Sequence, residues 1–340
     1  MSRAQLTSTV EQNSAGAAAP FTAGKNKIIN GDFGVWQRGT TFTSPATNAY
    51  TADRWKFNFD GSGTATISQQ AFTAGAAPVA GYEASYFLRL ASTGAGTSTF
   101  MQMQQPIEDV RTFAGQTVTL SFWAKSDSAR SSFIYMEQNF GTSGSATVQY
   151  LSMGSASTTT SWQRFSFTVA LSSISGKTIG AGSQLIPYIR LGAVTSGATL
   201  DIWGVQLEAG SVATPFTTAS GTFGGELALC QRYFQKTYDY AEALGTQSAA
   251  GLIWTQIEGS ETSRVLITHR FPVRMRTAAT VTFYSASTGT SGKLYNRSAA
   301  VDRNVTSYGG SDNGITYNTI DGSNSAGQQV LVCYTASAEL

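Results

Sequence analysis

Strict alternation of apolar and polar residues over short runs is the feature that most limits what this chain can fold into. In "TVTLSFWAK" (117–125), Val118, Leu120, Phe122 and Ala124 share one face, and Thr117, Thr119, Ser121 and Trp123 the other. "WQRFSFTVAL" (162–171) repeats the pattern, with Phe165, Phe167, Val169 and Leu171 against Trp162, Arg164, Ser166 and Thr168. A period of two separates the faces of an extended strand, whereas a helix would scatter both sets around its axis. "YFLRLA", "STFMQMQQ", "SSFIYMEQNF", "QLIPYIRLG" and "TLDIWGVQLE" are further short segments of strand character, spaced by Gly, Ser, Thr and Asn. That spacing predicts an all-β chain built on an antiparallel sandwich or jelly roll.

Composition agrees. Only 12% of the 340 residues are charged, and 35 are glycine, which suits strands and turns and starves helices. A net charge of +2 gives no electrostatic footprint for nucleic acid. No apolar stretch approaches the length of a membrane span. The start of the chain lacks the apolar core of a signal peptide, so the protein is expected to stay in the compartment that makes it. Cys230 and Cys333 are read as two buried thiols rather than a disulfide.

Three regions are expected. Residues 1–24 are small and polar and read as a tail that is extended until it docks on a partner. Residues 25–218 hold the jelly roll. A break at "EAGSVATPFTTASGTFGG" (208–225) leads to 219–340, a second, smaller β-sandwich carrying "SRVLITHRFPV", "AATVTFYSAS", "GITYNTI" and "QQVLVCYTAS". Between them, "ELALCQRYFQKT" (226–237) predicts one short helix, with Glu226 at its start, Lys236 near its end, and Leu227, Cys230 and Phe234 on one stripe.

Catalytic constellations are missing. His269 is the one histidine and sits in an apolar strand pattern, so neither a triad nor a histidine zinc site can be assembled. There is no phosphate loop, dinucleotide fingerprint or nucleophile elbow. A pair of carboxylates would suffice for a glycoside hydrolase, but Glu108 and Asp109 fall on opposite faces of an extended segment. Binding needs less: an aromatic ring stacks on the apolar face of a sugar while amide and charged groups take its hydroxyls. Trp123 and Trp162 lie opposite their strands' core faces and are expected as surface or interface rings. Tyr295 and Tyr308, in the loop-rich "SGKLYNRSAAVDRNVTSYGGSDNG" (291–314), and Tyr317 just after it are expected at a recognition tip. Asp32 and Asp201, near the first and last strands of the larger sandwich, are the candidate ligands of a structural calcium; no other cofactor is expected.

The motifs also stand in a familiar order. "NGDFGVWQRGTTF" (30–42), "YTADRW" (50–55), "QQPIEDVRTFAGQTVTLSFWAK" (104–125), "TSWQRFSFTV" (160–169), "DIWGVQLEAGSVATPF" (201–216) and "ELALCQRYFQK" (226–236) resemble tail-fibre and related virion proteins of tailed bacteriophages with a carbohydrate-binding-module-like jelly roll. The resemblance implies a homotrimeric structural protein on the virion surface that recognises bacterial surface polysaccharide. It implies no reaction, and attachment through residues 1–24 to a virion adaptor, baseplate or other tail protein; charge and the lack of a long apolar run leave nucleic acid and membrane insertion out of the expected partners. It makes "NGDFGVWQRG" the first strand and its turn, with Trp36 packed. In the wider modules an acidic residue that helps hold calcium often follows this phenylalanine; here it is Gly34, which weighs against the metal. The alternatives are a capsid-attached fibre or decoration protein without a receptor role and, third, a polysaccharide depolymerase.

Overall fold

The alternating segments become strands in the computed structural model of the chain, which describes residues 24–79, 82–192, 194–257, 264–322 and 324–340. The expected docking tail lies outside these, apart from Gly24. The first strands are β1 (Thr41–Thr43), β2 (Ala49–Tyr50), β3 (Lys56–Phe59), β4 (Thr64–Ala71), β5 (Tyr86–Gly94), β6 (Phe100–Gln104) and β7 (Ile107–Glu108). They are followed by β8 (Thr117–Ser126), β9 (Arg130–Asn139), β10 (Val148–Thr158), β11 (Gln163–Ala170), β12 (Gln184–Gly192) and β13 (Thr199–Ala209).

These strands make two antiparallel sheets. One has six strands in the order β1-β4-β5-β13-β8-β11; the other runs β10-β9-β12-β6-β3-β2, with β7 pairing β12. Phase decides which residues meet between them. Val118, Leu120, Phe122 and Ala124 of β8 face Met101 and Met103 of β6 and Ile134 and Met136 of β9 in one core, all without solvent exposure. Each such Leu or Phe contributes roughly 1.5–3 kcal/mol by leaving water.

A bulge interrupts the alternation in β13. The pairing with β8 shifts register between Trp203 and Gln206, where Gly204 adopts a φ of +64° and lies against the Trp123 ring, leaving no room for a Cβ. Both Ile202 and Val205 can then point into the core.

The run "NGDFGVWQRG" is not a strand. Asn30 and Phe33 have φ of 57° and 55°, a left-handed geometry incompatible with a ladder. The run lies instead across the bulge: the Val205 amide donates to Gly31 O at 2.9 Å, and Asn26 Nδ2 donates to Val205 O at 3.1 Å. The Asn30 side chain bonds both the amide and the carbonyl of Val35, and Trp36 is buried beneath it.

After the break come helix α1 (Phe223–Gln231) and strands β14 (Phe234–Lys236), β15 (Ile253–Gln256), β16 (Arg264–Arg270), β17 (Thr280–Ser285), β18 (Lys293–Asn296), β19 (Val301–Gly310), β20 (Gly314–Ile320) and β21 (Gln329–Ser337). The helix starts and ends earlier than its sequence predicts, at Phe223 and not Glu226, and Phe234 and Lys236 belong to β14. The second sheet system is centred on β21, which pairs β14, β15, β17 and β18, while β19 passes from β18 to β20 and so to β16. Val265 and Ile315 from one part pack with Phe283 and Val332 from the other in a second core. Cys230 and Cys333 are both free and buried.

Candidate functional site

In the seven-stranded sheet the side chains turned away from the core are polar and aromatic, not the small residues of an ordinary wet face. While Met101 and Met103 point inward, Phe100, Gln102 and Gln104 point outward; Phe133, Tyr135 and Glu137 do the same on β9, and Tyr188 and Arg190 on β12. Register sets them in rows. Phe133, Arg190, Gln102 and Asn58 stand opposite one another across four adjacent strands. Tyr135, Tyr188, Gln104 and Lys56 form the next row. Cross-strand neighbours lie within roughly 5 Å at Cβ, so each row is in contact.

Although they point outward, Gln102, Gln104, Glu137 and Tyr188 are 0–6% exposed, while Phe133 and Tyr150 stand 38% and 42% exposed. Taller neighbours therefore wall them in, and the face is a trough. Gly192 makes one wall fit: a Cβ there would fall 2.5 Å from the Phe133 ring.

Arg190 lies at the centre. Its guanidinium carbon is 3.9 Å from the centroid of Phe100, 4.9 Å from Tyr135 and 5.0 Å from Tyr150, a stacked cation–π arrangement. Its Nε donates to Gln102 Oε1 at 2.8 Å, and Gln102 donates on to Gln104. Its Nη2 is buried and finds no acceptor. Tyr188 donates to Glu137 Oε2 at 2.7 Å; burial, aided by the Glu137 carboxylate, holds its hydroxyl well above the usual phenol range, so it stays a donor. The trough thus presents the exposed Phe133 and Tyr150 rings and the half-buried Phe100, Tyr135 and Arg190, over a floor of two buried amides and a buried carboxylate, with one guanidinium donor unfilled. It fits a flat ligand with apolar faces and a rim of hydroxyls. Tyr50 and Lys56, at its far end, both bond Leu340 O.

The residues singled out from sequence lie elsewhere. Trp123 is on its strand's outer face as the phase requires, but is only 9% exposed. Trp203 and Phe216 pack against it, with centroids at 5.3 and 6.4 Å, so it is not an open ring. Trp162 borders the same cluster, against Phe72 and Phe87. Tyr295 is half-buried in β18. Tyr308 is no loop-tip residue: it lies in β19, packs on Phe283 at 5.9 Å, and its hydroxyl accepts from the Val281 amide. Tyr317 is in β20, and its side chain lies outside the described residues. Asp201 is held bidentately by Arg89 at 2.7 and 2.8 Å, whereas Asp32 borders a cavity with Tyr82 and Glu83. Among the described residues no group of three or more His, Cys, Asp or Glu side chains is placed to hold a metal ion. The trough residues lie in segments read from sequence only as strands. The signal was present, since "FIYME" and "MQMQ" alternate apolar with aromatic or amide residues rather than with serine or threonine.

No protein-family model matches the chain, and no curated protein matches it in sequence. Solved structures similar to it include the enzymatically active domain of bacteriophage CBA120 tailspike protein 4 (13% identity, 54% of this chain and 21% of that one, TM-score 0.37). Also similar are the CBM22-2 xylan-binding domain from Paenibacillus barcinonensis Xyn10C (15%, 50% and 99%, 0.33) and TmCBM61 in complex with β-1,4-galactotriose (13%, 54% and 99%, 0.32). The chain spans about a fifth of the tailspike domain's length. Likenesses this distant say nothing of what the chain binds.

Proposed function

We propose that the chain is a glycan-binding structural protein of a bacteriophage virion, and that the trough binds a surface polysaccharide of the host. The observation that carries the reading is Arg190, sandwiched among three rings with Nη2 buried and without an acceptor. A buried unmet donor costs about 1–3 kcal/mol, and a sugar hydroxyl lying along the rings would satisfy it. The ordered phage motifs of the sequence support the virion setting, with residues 1–24 as the attachment segment and three copies per fibre. Three weak sites engaged together gain roughly 10²–10⁴ in avidity. The role is adhesion, without a reaction.

The test is binding of the full-length protein to a panel of purified bacterial surface polysaccharides, followed by Arg190→Ala and Tyr150→Ala. A polysaccharide that binds the parent and loses tenfold or more with either variant, at unchanged melting temperature, is the expected result. Binding that neither variant alters overturns the assignment of the trough, and no binding to any host polymer overturns the receptor role.

A further inference from the structure

A second cleft lies where the sandwich meets α1. Among the described residues eight large hydrophobic side chains are exposed, and four of them, Tyr82, Tyr86, Phe223 and Tyr240, border this one cleft. Scattered exposed rings are ordinary, but rings gathered around one concavity mark a binding surface. The cleft has two adjoining chambers of about 190 and 450 Å³ that share Gly34, Tyr86 and Phe223, together within the usual size of a small-ligand site. The walls are held. Tyr240 donates to Gly34 O at 2.9 Å and accepts from the Trp36 amide at 2.8 Å. Phe223 meets Tyr240 edge to face at 5.7 Å, and Tyr82 rests on Trp203 at 5.4 Å.

The polar lining is one-sided. Asp32 and Glu83 line the smaller chamber and Glu242 the larger, and neither chamber has a lysine or arginine in its lining. The hydrogen bond found for the Asp32 carboxylate is a long one, 3.4 Å from the Gly34 amide. Glu242 Oε2 is buried without a donor, and so is Trp203 Nε1 without an acceptor. A ligand that completes this set brings a cation for the carboxylates, an oxygen for the indole and an apolar face for the rings.

We propose that the cleft is a second saccharide site, selective for a sugar with a free ammonium group, which pairs with Asp32 while the sugar ring stacks among Tyr82, Tyr86 and Phe223. The assignment is independent of the trough. The groups that face Asp32 are Glu226 on α1 and Tyr82 and Glu83 on the loop before β5. Burial, together with the Glu226 charge, lifts the Asp32 carboxyl to about 6, so an ammonium finds its partner ionised at pH 7 and protonated at pH 5. The chain's net charge of +2 rules out bulk attraction as the cause of selectivity for a cation.

The experiment is calorimetric titration of the full-length protein, at about 0.15 M salt to screen surface charge, with three β-1,4-linked tetrasaccharides: glucosamine, N-acetylglucosamine and glucose. The glucosamine oligomer is expected to bind at about pH 6.5 at least tenfold more tightly than the other two, and to weaken both at about pH 5, where Asp32 is protonated, and at about pH 8, where the amine of the sugar is neutral. Asp32→Asn is expected to remove the preference and the pH effect. Tyr86→Ala, an exposed residue whose loss leaves the core intact, is expected to weaken binding tenfold or more, and Arg190→Ala to leave it unchanged. Equal binding of the three oligomers, no binding of the glucosamine oligomer, or a preference that survives both Asp32→Asn and Tyr86→Ala overturns the proposal. Loss of amino-sugar binding in Arg190→Ala alone moves the ligand to the trough and overturns it equally.

Discussion

At the scale of single residues, Asp32 carries a cost that the fold does not relieve. Burial, with Glu226 nearby, raises its carboxyl from 3.8 to about 6, so between those values the folded chain holds a proton that the unfolded chain has released. The stability this gives is present below about pH 4 and is lost as the pH rises through about 6. Asp32→Asn is therefore expected to stabilise the unliganded protein at pH 7 by on the order of 1–2 kcal/mol, and by little at pH 4. Urea unfolding at the two pH values measures it, and an equal gain at both would remove the assignment of the shift to this carboxyl. A stabilising substitution at a cleft residue is what a site built for a ligand produces. Single residues also show where sequence reasoning stops. The alternation around Trp123 assigns its face correctly, but the rings that cover it, Trp203 and Phe216, come from a bulged strand and a loop some 80 to 90 positions further on. Period two tells which way a side chain points, not what lies on top of it.

Elements were legible in proportion to how regular they are. Strands β8 and β11 keep an unbroken period of two and can be read directly; their pairing, Phe122 against Phe165 and Leu120 against Phe167, follows from matching apolar faces. Strand β19 is partly or fully exposed along its whole length, so its sequence is as polar as a loop and does not show that Tyr308 belongs to a strand. The "NGDFG" run fails for the opposite reason: it is buried yet irregular, and its left-handed residues serve the bulge at Gly204. The helix is legible through Glu226, but it starts at Phe223 and puts Glu226 within its first turn, where the carboxylate accepts from the Asn30 and Ser220 amides at 2.7 and 2.6 Å. Its N-cap, Thr222, accepts from the Gly225 amide at 3.1 Å. Thr222→Ala is expected to lower stability by about 1 kcal/mol, read from a shifted denaturant midpoint at unchanged slope; no shift would mean the cap is idle.

Across the whole molecule, the two sheet systems are joined by buried charge. Arg38 and Arg54 from the sandwich both bind Glu339. Arg38 lies 3.7 Å over the Phe234 ring and Arg54 3.5 Å over Tyr233; Gln37 bridges Asp53 and Phe234 O. Removing one partner of such a network leaves a buried charge uncompensated, at about 3–5 kcal/mol. Glu339→Ala is thus expected to lower the melting temperature and to separate the unfolding of the sandwich from that of the second sheet system, as seen by calorimetry. A single unshifted transition would show that the clasp contributes nothing. No local pattern announces this clasp, because its members stand 285 and 301 positions apart.

That separation has a meaning in time. At translation rates of roughly 5–20 residues per second, Arg54 leaves the ribosome about 15–60 s before Glu339 exists. The sandwich can complete its core only once β13 has been made; for roughly the last 7–26 s of that interval, at the same rates, it has its core but not its counter-charge, and two guanidiniums on its flank stay hydrated. The clasp closes last, so each newly made copy passes through a stage in which the larger sandwich is folded and its seam with the rest of the chain is still open.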